Sequence, residues 1–201
     1  MKRLDVARIS DRVLLLNLYL TQALVLAVAC VLLWWQGFPG GDLWHSDTWT
    51  VWLWGIAAGL TVVSIDLTLT YFFPKHMIDD SGINEKLFQG RPYWHIFVIA
   101  AVVAFCEELL FRGALQPLIG IWGTSLVFTL IHFRYLKRWA MTGYLFFVSM
   151  VLGWLAQWTG SLVASMAAHF TIDFVLALIL KAGWLDPLVR RVEQREKNSS
   201  V

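Results

Sequence analysis

Two adjacent carboxylates and an arginine stand inside one long apolar run, Phe105-Cys106-Glu107-Glu108-Leu109-Leu110-Phe111-Arg112-Gly113. On insertion scales an Asp, Lys or Arg at the centre of a membrane helix costs ~2.5–3.5 kcal/mol, so ionisable groups there turn toward a protein interior or a water-filled cavity and mark function. The stretch therefore asks for a helical membrane protein with something inside it for these charges to face.

The rest of the chain supplies that setting. With 58% hydrophobic and 15% charged residues, it departs from the make-up of a soluble domain. Apolar stretches at 13–35, 49–73, 94–115, 122–135, 141–158 and 161–181 predict an all-α, polytopic transmembrane bundle of about six spans. The expected organisation is a single membrane domain over 1–201, with a core at about 94–181 and a charged tail at 186–201. The first stretch is too long for the core of an export signal and reads as a retained helix. Residues 74–92 read as a solvated loop with a short interfacial helix around Asn84–Phe88.

Sidedness follows from the basic residues. If both termini are cytoplasmic, the inner segments hold fifteen of the sixteen Lys and Arg residues, leaving only Arg112. The net charge of +2 forms no basic face interleaved with aromatics, so no nucleic-acid partner is expected. Cys30 and Cys106 lie in apolar stretches and read as packing residues. The expected surroundings are membrane lipid, in the cell membrane of a prokaryote.

On a helix, residues four apart share a face while neighbours diverge by about 100°. Glu108 and Arg112 can therefore pair, leaving Glu107 free to point into a cavity. His132 and His169 are also embedded in spans, and His169 shares a face with Asp173, four residues on. Counting 1.5 Å per residue puts Glu107, His132 and His169 at about 10, 15 and 12 Å below the outer boundary, within one layer. The same count leaves Arg134 too deep, so the fourth helix should be short, tilted or beside a water-filled cleft. Asn17 and Gln22 read as interhelical hydrogen-bonding groups. Asp66, alone in the second span, reads equally as part of a proton path or support for a site, or as half of a pair with an Arg or Ser across the bundle. His45, His76 and His95, in loops or at span ends, read as surface or interface residues.

A glutamate and a histidine at a buried water suggest hydrolysis, the carboxylate taking a proton and other donors holding the oxyanion. A Zn²⁺ site of Glu107, His132, His169 and Asp173 is chemically possible. No His-Glu-x-x-His run accompanies it, so the expectation is a site without metal or other cofactor, with zinc as the alternative.

At these residues the chain resembles the CAAX-protease and bacteriocin-processing family of intramembrane endopeptidases, also called the Abi family. Glu107-Glu108-Leu109-Leu110-Phe111-Arg112 is similar to its Glu-Glu-x-x-x-Arg motif, Phe128-Thr129-Leu130-Ile131-His132 to its Phe-x-x-x-His motif, and His169-Phe170-Thr171-Ile172-Asp173 to its His-x-x-x-Asn/Asp motif. The resemblance implies a glutamate-dependent endopeptidase acting on a membrane-embedded peptide or protein. In it Glu107 activates water with His132, His169 and Asp173 serve the oxyanion side, and Glu108, Arg112 and Phe128 support the site. Asp173 replaces the Asn form; a carboxylate donates a hydrogen bond only when protonated, so either Asp173 is kept neutral or it orients His169. The competing class is a non-enzymatic membrane protein, either a proton or cation pathway or a bacteriocin-immunity scaffold that keeps the motifs.

Overall fold

The computed structural model describes residues 9–37, 44, 49–72 and 82–184. The basic segment 1–8, the tail 186–201, His45, His76 and much of both long loops therefore lie outside the described residues. Apart from an isolated helical turn at Trp44, the regular elements are α1 (Asp11–Trp35), α2 (Trp49–Phe72), α3 (Ile83–Gln89), α4 (Tyr93–Glu108), a π-helical segment (Leu109–Leu115), α5 (Gln116–Ile131), α6 (Trp139–Thr159) and α7 (Leu162–Lys181). The short α3 falls where the interfacial helix is expected.

Five helical stretches are long and apolar enough to cross a bilayer, and the longest runs unbroken in outline over Tyr93–Ile131. The sequence divides that stretch into a third and a fourth span at Pro117 and Gly120. Pro117 does not end the helix. It sits at the start of α5, where its missing N–H falls just past the wider π turns. Gly120 does break it, at φ 70° and ψ 176°, a backbone state open to glycine because it has no Cβ. Six rods result, the fourth a short one.

That fourth rod stops sooner than its apolar pattern suggests. It ends at Ile131, His132 is its C-terminal cap, and the chain turns through Tyr135 and Arg138. His132 is thus a cap residue and not an interior one. The last carbonyls of a helix have no backbone donors, and the imidazole Nδ1 supplies one to Phe128 O at 2.7 Å.

In lipid, helices gain little by merely burying apolar surface against one another, so close packing and polar contacts decide their association. The α2–α7 seam uses close packing. A Cβ added at Gly55 would lie 2.5 Å from Ala164 O and 2.6 Å from Ala167 Cβ, and one at Gly59 would lie 2.7 Å from both Ala168 O and Thr171 Cβ. Gly55-Ile56-Ala57-Ala58-Gly59 is a G-x-x-x-G run that meets the small residues of α7. Around this seam one apolar cluster joins α2, α6 and α7 through Val62, Leu152, Ala164 and Ile172. A second joins α1, the π segment, α5 and α7 through Leu33, Phe111, Phe128 and Leu162. By contrast α1 buries only Gln22, Ala29 and Leu33, and its Leu16, Leu20, Leu24 and Val31 stay exposed to the lipid.

Candidate active site

The charged stretch lies where α4 gives way to the π segment. Glu107 and Glu108 close α4, and Arg112 stands in the middle of the wider turns that follow. π turns inside a helix re-aim side chains and often occur at functional sites. Here Glu108 and Arg112 still meet, Nη1 to Oε1 at 2.8 Å, with both side chains sealed from solvent.

This pair is one end of a longer array. The second guanidinium nitrogen of Arg112 donates to Ser149 O at 3.0 Å and to Ser149 Oγ at 2.9 Å, tying the π segment to α6. The guanidinium also lies 5.3 Å from the Phe128 ring centroid, close enough for a cation–π contact. From α7, His169 directs Nδ1 to the same Glu108 oxygen at 2.7 Å. Its Nε2 faces Asp173 Oδ2 at 3.6 Å. Both imidazole nitrogens are therefore turned toward carboxylates, and the expected role of Asp173 in orienting His169 has a geometric basis. Asp173 is the accessible end of the array, its side chain one-third exposed.

Glu107 has a different environment. It is 8% exposed where Glu108 is 0%, and its Oε1 accepts a hydrogen bond of 3.0 Å from Gln22 Nε2 on α1. Its hydrogen bond goes to α1 and not to either histidine. Nor does His132 bond to Glu107. With Nδ1–H committed to Phe128 O, the neutral ring leaves Nε2 as an acceptor. Its face rests on Phe128 at 4.5 Å between centroids, and Phe128 meets Phe111 edge-on at 4.9 Å. Phe128 is therefore the wedge between His132 and Arg112.

The structure thus gathers Glu108, Arg112, His169 and Asp173 directly, brings His132 in through Phe128, and holds Glu107 beside them by α1. Among the described residues no three His, Cys, Asp or Glu side chains converge as a metal-holding group. A cleft of about 410 Å³ opens beyond Arg112, lined also by Gln116, Gly120, Gln157 and Ser161. Asp66 stands apart, with the Tyr144 hydroxyl of α6 nearby; that hydroxyl donates to Val62 O at 3.4 Å. His95 bonds Tyr19 at 3.0 Å and joins α1 to α4, an interface role as expected.

Sequence reasoning missed Ser149, since a backbone and hydroxyl anchor 37 residues from Arg112 leaves no pattern. Gln22 is the expected interhelical amide, but its target, Glu107, could not be read. Asn17 makes no such bond among the described residues.

Three comparisons bear on this arrangement. Residues 89–175 match the family model described as type II CAAX prenyl endopeptidase Rce1-like, a segment that contains all three motifs. The chain is 39% identical over 159 residues to the uncharacterized protein YpbD of Bacillus subtilis (strain 168), covering 78% of this chain and 84% of that protein. No solved structure matches. With its apolar helices in lipid and its charges gathered inside, the chain is an integral membrane protein and belongs to the Rce1-like family of type II CAAX prenyl endopeptidases.

Proposed function

We propose that the chain is an intramembrane glutamic endopeptidase in which Glu107 activates water against a peptide bond of a membrane-embedded peptide or protein. The observation that carries this reading is the division of the two glutamates. Glu108 is consumed by Arg112 and His169 in a sealed core, whereas Glu107 gives one oxygen to Gln22 and, among the described residues, keeps Oε2 free of hydrogen bonds.

In this mechanism Glu107 Oε2 takes one proton of a water while the water oxygen bonds to the scissile carbonyl carbon. His132 Nε2 accepts the water's other hydrogen and so aims its lone pair. The carbonyl electron pair moves onto oxygen, and the His169 Nε2–H, which at 3.6 Å is not hydrogen-bonded to Asp173, turns to donate to the resulting oxyanion while Nδ1 stays on Glu108. When that pair returns, the C–N bond breaks and the proton held by Glu107 passes to the leaving amine. Glu108, Arg112 and Phe128 hold these groups in place. No step calls for a metal. The distribution of Lys and Arg and the bacterial relative support a prokaryotic cell membrane with both termini inside.

The test is cleavage of a panel of membrane-protein and lipopeptide substrates by the purified protein in vesicles, with and without chelator. Glu107→Gln and His132→Ala should each lower turnover by about 10²–10⁴-fold with the fold intact. Full turnover in both variants sinks the reading, and loss of wild-type activity on chelation overturns its metal-free form.

A further inference from the structure

Gln22 lies on α1, far outside the segment 89–175 that matches the family model. It is 6% exposed on a helix that buries only two other residues, Ala29 and Leu33, and it spends that burial on one bond, Nε2 to Glu107 Oε1 at 3.0 Å. An ionised carboxylate only accepts hydrogen bonds, so the amide must present its N–H₂ face to Glu107. The orientation is costly, because Gln22 Oε1 is left buried with no hydrogen-bond partner among the described residues. Buried polar groups are rarely left unsatisfied, and an exception calls for a functional or structural reason. A packing role would be met by any apolar side chain of that size, with no orphaned acceptor.

We infer that Gln22 is a positioning residue for Glu107, pinning Oε1 so that Oε2 is the oxygen presented to the water and the scissile bond. The inference deepens the endopeptidase reading and rests on it. A carboxylate at the end of a three-bond side chain otherwise turns about its last torsion, which is soft and roughly two-fold. The hydrogen bonds of Arg112 go to Glu108 and Ser149, and that of His169 Nδ1 goes to Glu108. Among the described residues the one hydrogen bond donated to Glu107 comes from α1. Removing it leaves substrate binding unchanged and makes the base less often correctly aimed, an effect on kcat.

The experiment compares wild type, Gln22→Met and Gln22→Glu, full length in lipid vesicles, on a substrate the wild type cleaves. Gln22→Met keeps length and volume without the donor; Gln22→Glu keeps the shape and replaces the donor with an acceptor. Both should lower kcat by about 10- to 100-fold with KM within about two-fold, Gln22→Met at a melting temperature near that of wild type and Gln22→Glu at a lower one, since it sets a second carboxyl against Glu107. The Glu107 carboxylate stretch, isolated as the infrared difference between each form and its Glu107→Gln counterpart, should shift in Gln22→Met. Wild-type kcat in Gln22→Met, or an unmoved stretch, overturns the inference. The two readings fail separately. If Glu107→Gln itself retains turnover, the base assignment falls and Gln22 has nothing to aim; if Glu107→Gln is inactive while Gln22→Met is not, only the role of Gln22 falls.

Discussion

Helix α1 touches the charged core directly through Gln22 and α2 reaches it only by way of α7, and the two are held in opposite ways. At the α2–α7 seam, backbone carbonyls come so close that a single added Cβ at Gly55 or Gly59 would lie 2.5–2.7 Å from Ala164 O or Ala168 O. At the α1 edge most of the helix faces lipid, and the contact nearest the site is one hydrogen bond from Gln22 to Glu107. The first seam fixes α7, and with it His169 and Asp173, as rigid structure. The second supplies direction at little cost in stability. In lipid these are distinct currencies, since dispersion at close range builds the scaffold while one polar contact aims a group.

Breaking the array that both seams serve should have the largest effect. Arg112→Leu leaves Glu108 buried with His169 as its remaining ionic partner, and loss of one member of a buried pair costs about 3–5 kcal/mol. Denaturation in mild detergent should register it as a large fall in midpoint. Overpacking the α2–α7 seam comes next. Gly59→Val should cost about 1–3 kcal/mol or more, with α7 displaced, because its Cβ meets backbone and not a flexible side-chain end. A wild-type melting curve for Gly59→Val would mean that the seam is looser than its geometry.

At the α1 edge the expected stability changes are small. Gln22→Met should lose about 0.6 kcal/mol, in line with interhelical hydrogen bonds in bilayers, while catalysis falls far more. A stability loss as large as that of Gly59→Val would erase the distinction between the two helices. Least of all, Leu20→Ala on the lipid face of α1 should stay within about 0.5 kcal/mol.

The sequence made the scaffold easier to read than the site. Apolar stretches located the helices to within a few residues, because a bilayer fixes their length and composition. The Glu108–Arg112 pair was readable because it depends on helical spacing alone, and it holds even though the helix widens directly after Glu108. The close seam was also on view, since Gly55 and Gly59 are four apart in an apolar span, yet nothing in the sequence points to α7 as the partner. His132 was misjudged as lying within a span because Phe133 and Leu136 continue the apolar pattern past the cap. The targets of Gln22 and Arg112 are long-range facts. A polar side chain advertises that it needs a partner, and tertiary packing decides which one.

The π-helical segment has a consequence for the length of the chain. It lies between Glu107 and His132, and its widened turns set how far α5 is rotated about the common axis relative to α4. Its seven residues, wound at about 80° each, turn the chain nearly as far as six would at the α-helical ~100°, so winding 109–115 as an ordinary α-helix without removing a residue would turn everything after it by roughly a third of a turn relative to α4. Phe128 and His132 would swing away from Arg112, and the backbone break at Gly120 would face elsewhere. The two halves of Tyr93–Ile131 are locked in phase by this segment, so its residue count, and not only its residues, is part of the site.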